Sequence, residues 1–76
     1  MGQIRNRKLL KNIAIVIKQL RTDLGLTQDE VYDATKIHIG RIETAKANLS
    51  ISTLDALCEY FEMSLSEFFN RVESVD

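Results

Sequence analysis

The spacing of apolar residues constrains this chain more than any other feature. Leu9, Ile13, Val16, Ile17, Leu20 and Leu24 follow one another at intervals of 4, 3, 1, 3 and 4. That spacing lines one face of an α-helix. Gly25 ends the run, as suits a residue able to take a left-handed conformation just past a helix end. Residues 1–7 either extend this helix or fray from it. No segment alternates with period two, so the expected class is all-α.

Four more helices are expected downstream. Thr27-Gln28-Asp29-Glu30 forms a capping box: the Thr27 hydroxyl accepts from the Glu30 N–H, and the Glu30 carboxylate reaches back to the Thr27 N–H. Two acids in the first turn also suit the helix dipole. This second helix is short, with Val31 and Ala34 inward, and ends near Asp33–Thr35. A third runs through Ile39, Ile42 and Glu43, with the two isoleucines on one face. Ala45-Lys46-Ala47-Asn48-Leu49 breaks the pattern and reads as a loop. Ser50 N-caps a fourth helix with Ile51, Leu54, Leu57, Cys58 and Phe61 inward. Ser64-Leu65-Ser66-Glu67 is another capping box, opening a fifth helix with Leu65, Phe68, Phe69 and Val72.

Seventy-six residues make a single domain, 1–76, with a core of modest size. Cys58, the one cysteine, packs on an apolar face; it can form neither an internal disulfide nor a Cys-based metal site. His38 is the only histidine, so neither a metal nor another cofactor is expected. The apolar run Ile13–Ile17 is flanked by Lys11 and Lys18 and falls far short of the roughly 20 residues that span a bilayer. No signal peptide is evident, and a soluble, cytoplasmic protein without membrane contact is expected. The net charge of −1 hides a polarity. Residues 1–48 carry nine basic side chains against five acidic ones, and residues 49–76 carry one against six. A basic half can face phosphate while the other end is acidic. Glycine-rich phosphate loops, metal clusters and nucleophile–base sets are missing, which argues against an enzyme.

Four segments in register resemble the lambda-repressor-like helix-turn-helix family, also called the Cro/repressor or XRE type. They are Ile17-Lys18-Gln19-Leu20-Arg21, Gly25-Leu26-Thr27-Gln28-Asp29-Glu30-Val31, Ile39-Gly40-Arg41-Ile42-Glu43 and Asn48-Leu49-Ser50-Ile51-Ser52-Thr53-Leu54. The likeness spans about residues 13–69, leaving 1–8 as a basic extension and 73–76 as a tail. It implies a compact five-helix domain whose second and third helices form the helix-turn-helix. It also implies a transcriptional regulator that binds double-stranded DNA, with the third helix in the major groove.

Carried over residue by residue, the resemblance puts Thr27 and Gln28 at a helix start facing phosphate. Thr35, Lys36 and His38 become base-reading residues at the start of the third helix, with Arg41 one turn on. Lys46 and Asn48 become phosphate contacts in the following loop. Arg21 and Glu43 form a buried ion pair tying the first helix to the third. Arg5, Arg7, Lys8 and Lys11 either touch phosphate or solubilise the leader. Two departures bear on these roles. The interval from Gln28 to Glu43 is three residues shorter than usual in the family, nearly one helical turn. Two glycines are also absent, one in the turn and one two places after Glu43, where Ala45 stands. The missing residues come either from the end of the second helix or from the start of the third.

Phe68 and Phe69 point about 100° apart on one helix, so one of them is expected to be covered by a second copy of the chain. A homodimer would place two third helices in successive major grooves of a roughly palindromic operator. Controller proteins of restriction–modification systems, small phage repressors and some antitoxins share this size and plan. The rival reading is an adaptor or antitoxin whose acidic fourth and fifth helices bind a protein such as a toxin or polymerase, with DNA secondary.

Overall fold

A computed structural model describes residues 6–46 and 48–75; Arg5 of the basic extension lies outside them. Among the described residues the chain forms five helices and no strand: α1 (Arg7–Asp23), α2 (Gln28–Thr35), α3 (Ile39–Glu43), α4 (Ile51–Tyr60) and α5 (Leu65–Glu73). None is long and apolar enough to cross a membrane.

Helix α1 starts at Arg7 because Asn6 caps it, its side-chain oxygen accepting from the Leu9 N–H at 3.0 Å. Its buried face is Leu10, Ile13, Ala14, Val16, Ile17 and Leu20. Leu9 and Leu24, expected inward, are 41% and 57% exposed. Leu9 lies in the first turn beside an open apolar groove, and Leu24 is the C-cap, where the chain turns away. That turn is a Schellman motif: Gly25 has φ +70°, its N–H donates to Thr22 O at 3.0 Å, and the Leu26 N–H donates to Arg21 O at 3.0 Å. A side chain at position 25 would meet nothing within 4 Å. Glycine is therefore favoured there by backbone angle alone.

Both halves of the α2 capping box are made, Glu30 N–H to Thr27 Oγ1 at 3.1 Å and Thr27 N–H to Glu30 Oε1 at 2.9 Å. Val31 is wholly buried, whereas Ala34, expected inward, is exposed. The inner seam of α2 passes instead from Val31 to half-buried Thr35, one i,i+4 step along the helix. Ser50 and Ser64 cap α4 and α5 through their hydroxyls, which accept from Thr53 N–H at 3.0 Å and Glu67 N–H at 3.1 Å. Ile51 is 66% exposed rather than inward, because nothing covers the first turn of α4. Cys58 is 2% exposed, and burial first, then the nearby Asp55 charge, pushes its thiol up. An inert packing role follows.

Helix α1 packs against α3 and α5, α2 against α3 and α4, and α4 against α5. Ile17, Val31, Ile39, Leu54, Leu57, Phe68 and Val72 join in one core cluster beneath all five helices. The two short helices α2 and α3 are thus held from below by α1 and α4.

Three non-glycine residues hold left-handed backbone: Lys36 (φ 61°), Ala45 (φ 63°) and Glu62 (φ 58°). Lys36 and Ala45 end α2 and the α3 turn, the two regions where the family usually has glycine. The conformation survives without the residue that favours it, at about 1–2 kcal/mol for each such residue. Ala45→Gly is expected to stabilise the chain by about 0.5–1 kcal/mol and Gly25→Ala to destabilise it by about 1 kcal/mol. Thermal melts would show the two midpoints moving in opposite directions by a few degrees.

Candidate nucleic-acid interface

The helix-turn-helix surface is built on one carboxylate. Arg21 grips Glu43 through two parallel bonds, Nε to Oε2 at 2.7 Å and Nη2 to Oε1 at 3.0 Å. Its remaining arm, Nη1, donates to Leu26 O at 2.9 Å. Gln28 Nε2 adds a bond to Glu43 Oε1 at 3.1 Å. The two charged side chains are only 11% and 6% exposed. One cluster therefore fixes α1, the α1–α2 turn, the start of α2 and the end of α3 relative to one another.

Burial would push the Glu43 carboxyl up. The hydrogen bonds from Arg21 and Gln28, with the charges of Arg21 and Lys18, outweigh it and hold the group below its ordinary value. The Arg21 guanidinium is raised, first by its hydrogen bond to Glu43 and against the effect of burial.

The turn between α2 and α3 differs from the sequence expectation. Thr35 and Lys36 do not begin the third helix. Thr35 is the last residue of α2; its hydroxyl donates to Val31 O at 2.8 Å and accepts from the Ile37 N–H at 3.1 Å. That side chain is committed to closing the turn. Lys36 is the left-handed C-cap of α2, its N–H donating to Tyr32 O at 2.7 Å. Helix α2 keeps more than two turns, whereas α3 has only five residues. Those lengths fit a shortening at the start of α3.

Within α3, Ile39 and Ile42 face the core and Glu43 is held by Arg21. Gly40 has no side chain, and only Arg41 projects freely from the outer face. Gly40 is not incidental: a Cβ there would lie 3.0 Å from Gln28 Oε1. Its absence lets the Gln28 amide lie across α3 and reach Glu43. Gln28 remains exposed at the first residue of α2, and its amide carries a second N–H.

An open groove runs between α2 and α3, lined by Gln28, Asp29, Tyr32, His38, Ile39, Gly40, Arg41 and Thr44. His38 is the N-cap of α3 without a capping bond, and its ring lies 4.5 Å from that of Tyr32. The Lys36 ammonium stands 5.5 Å from the centre of the same Tyr32 ring. Among the described residues lining it, Asp29 is the one acid. Tyr32 and Thr44 were missed from sequence. Tyr32 could have been found from its i+4 relation to Gln28, which places both on one face of α2.

Lys46 joins Arg7 and Lys11 of α1 around a second depression, a concentration of cations that the linear sequence spreads over 40 residues. Thr27 is exposed and engaged in the capping box. Asn48 is exposed on the rim of a different, apolar groove.

Two helices joined by a tight turn, braced from behind and open in front, define a helix-turn-helix protein. The family model described as Helix-turn-helix matches residues 17–68, and the chain belongs to that family. It is a DNA-binding regulator of the XRE type and not an enzyme. Among solved structures it is similar to an arginine-to-alanine mutant of the restriction–modification controller protein C.Esp1396I in a trigonal crystal form. The TM-score is 0.79 at 30% identity, covering 87% of this chain and 92% of that one. No curated protein sequence matches the chain.

Arg21→Ala is expected to cost about 3–5 kcal/mol, because it strands the Glu43 carboxylate in a nearly closed site. Acid acts on the same group. A folded-state value below the unfolded one means the stabilisation is complete above about pH 4.3 and is lost as pH falls through the lower, folded value. Urea titrations between pH 7 and pH 2.5 would show an acid-side loss of stability that is smaller in Glu43→Gln.

Proposed function

We propose that the chain is a sequence-specific transcriptional regulator that binds a roughly palindromic operator as a homodimer, one α2–α3 unit per half-site. The observation that carries this reading is the open α2–α3 groove. It presents Gln28, His38 and Arg41 outward while the Arg21–Glu43 fork holds both helices from behind. In this reading Arg41 reads base edges, with Lys36 and His38 contributing from the turn. Gln28 and Thr27 meet phosphate at the α2 N-terminus. Lys46, with Arg7 and Lys11, meets phosphate on the flank, and Asn48 does so from the loop.

The dimer reading rests on an apolar groove at the other side of α1. Phe68 is buried at 1% exposure, while Phe69 is half-buried and lines this groove with Leu10, Ile13, Leu49 and Leu54. Exposed Leu9 and Ile51 stand on its rim. Large apolar side chains gathered around an open groove are characteristic of a surface covered by a partner, and a symmetric pair matches a two-fold operator. The likeness to a restriction–modification controller supports transcriptional control of that kind, in the cytoplasm, over the phage-repressor and antitoxin alternatives.

Selection of bound sites from a random duplex pool is expected to return a two-fold symmetric motif with half-sites about one helical turn apart. Affinity for that site should fall with salt at a log–log slope of about −0.9 per phosphate contacted. Lys46→Ala should make the slope shallower by about one such step. Ile51→Glu should shift sedimentation towards the monomer and weaken operator binding at least tenfold. Weak DNA affinity with a flat salt response would overturn the proposal in favour of a protein-binding adaptor.

A further inference from the structure

Resting on that reading, we propose that Tyr32, stacked on His38, is a base-reading residue, and that this aromatic ridge on α2 and the turn replaces the missing first turn of the third helix. The class of contact is apolar: the ring edge of Tyr32 against the C5-methyl of a thymine in the major groove.

The case begins with what α3 can offer. Of its five residues, Ile39 and Ile42 are buried, Glu43 is bound to Arg21, and Gly40 has no side chain. Thr44, just past the helix, turns its hydroxyl onto Arg41 O at 2.6 Å. Among the described residues, Arg41 is left as the one free reader on α3 itself. A bidentate arginine–guanine pair discriminates by roughly five- to 150-fold. Taken twice on a two-fold site, that reaches only the lower part of the roughly 10³–10⁷ ratio by which specific sites exceed random DNA. Further base contacts have to come from beside α3.

Tyr32 is placed to supply one. It lines the same open groove as Arg41 and Gly40, with the Gln28 amide lying over the bare backbone of Gly40. Its ring packs at 4.5 Å on His38, tilted 31°, and carries the Lys36 ammonium at 5.5 Å. These contacts restrict the ring, which lowers the side-chain freedom lost on binding. The ring is half-buried, and its hydroxyl has no hydrogen-bond partner among the described residues. A rigid apolar edge next to a cation suits a methyl-bearing base beside a phosphate. A ring serving only to pack the turn would give no dependence on the identity of any base.

The test uses the duplex recovered by the wild-type chain and a scrambled duplex of equal length, with thymines replaced one at a time by uracil to delete the methyl. At one thymine per half-site the wild type should lose about fourfold in affinity, as expected for one methyl. Tyr32→Phe should keep that sensitivity. Tyr32→Ala should lose it and should reduce preference for the selected duplex about tenfold, with affinity for the scrambled duplex unchanged within twofold. If Arg41→Ala abolishes the preference while Tyr32→Ala keeps both preference and methyl sensitivity, the ridge does not read and the regulator reading stands. If the wild type recovers no motif, the regulator reading falls and this inference falls with it.

Discussion

Glu43 is where the separate parts of this chain meet. Its carboxylate takes two bonds from Arg21 and one from Gln28, and Arg21 in turn holds the Leu26 carbonyl. A charge pair this enclosed contributes little net stability, because desolvation offsets most of the attraction. Its contribution is geometric. Three hydrogen bonds of fixed direction set the angle of a five-residue helix that could not hold itself: an isolated segment of that length has almost no helical stability in water. Hydrophobic contact through Ile39 and Ile42 keeps α3 on the core without fixing its rotation, whereas a planar guanidinium gripping a planar carboxylate does.

The rest of the interface depends on that fixed rotation. With Glu43 turned inward, Gly40 and Arg41 face outward, and the absence of a side chain at Gly40 lets Gln28 cross to the same carboxylate. The α2 cap sets the other wall of the groove. Thr35 closes the turn with its hydroxyl, and Lys36 takes the left-handed position. The groove is therefore a consequence of backbone constraints on both sides.

Much of the fold was legible from residues with strong local chemistry. The Thr27–Glu30 box, the Ser50 and Ser64 caps and Gly25 each act through bonds within a few positions, so sequence spacing places the helix ends. Leu9, Ala34 and Ile51 were misread for a common reason. Each continues a helical stripe, but burial depends on whether another element lies over that turn, and sequence spacing carries no such information. Thr35 and Lys36 failed differently. The end of α2 near Thr35 was legible, but a left-handed turn at a lysine carries no glycine signal, so the start of α3 was not placed. The resemblance fixed the pairing of Arg21 with Glu43, two residues 22 positions apart that periodicity would not have joined. The Tyr32–His38 contact was invisible because it exists only once the shortened turn folds one ring onto the other.

The most direct measurement is the change in backbone amide resonances when the pool-selected duplex is added to the folded chain. The account predicts that the largest shifts fall at Gln28, Tyr32, His38, Gly40, Arg41 and Thr44, with Glu62 and Asn70 unmoved. Shifts concentrated on α4 and α5, with the α2–α3 groove silent, would contradict it.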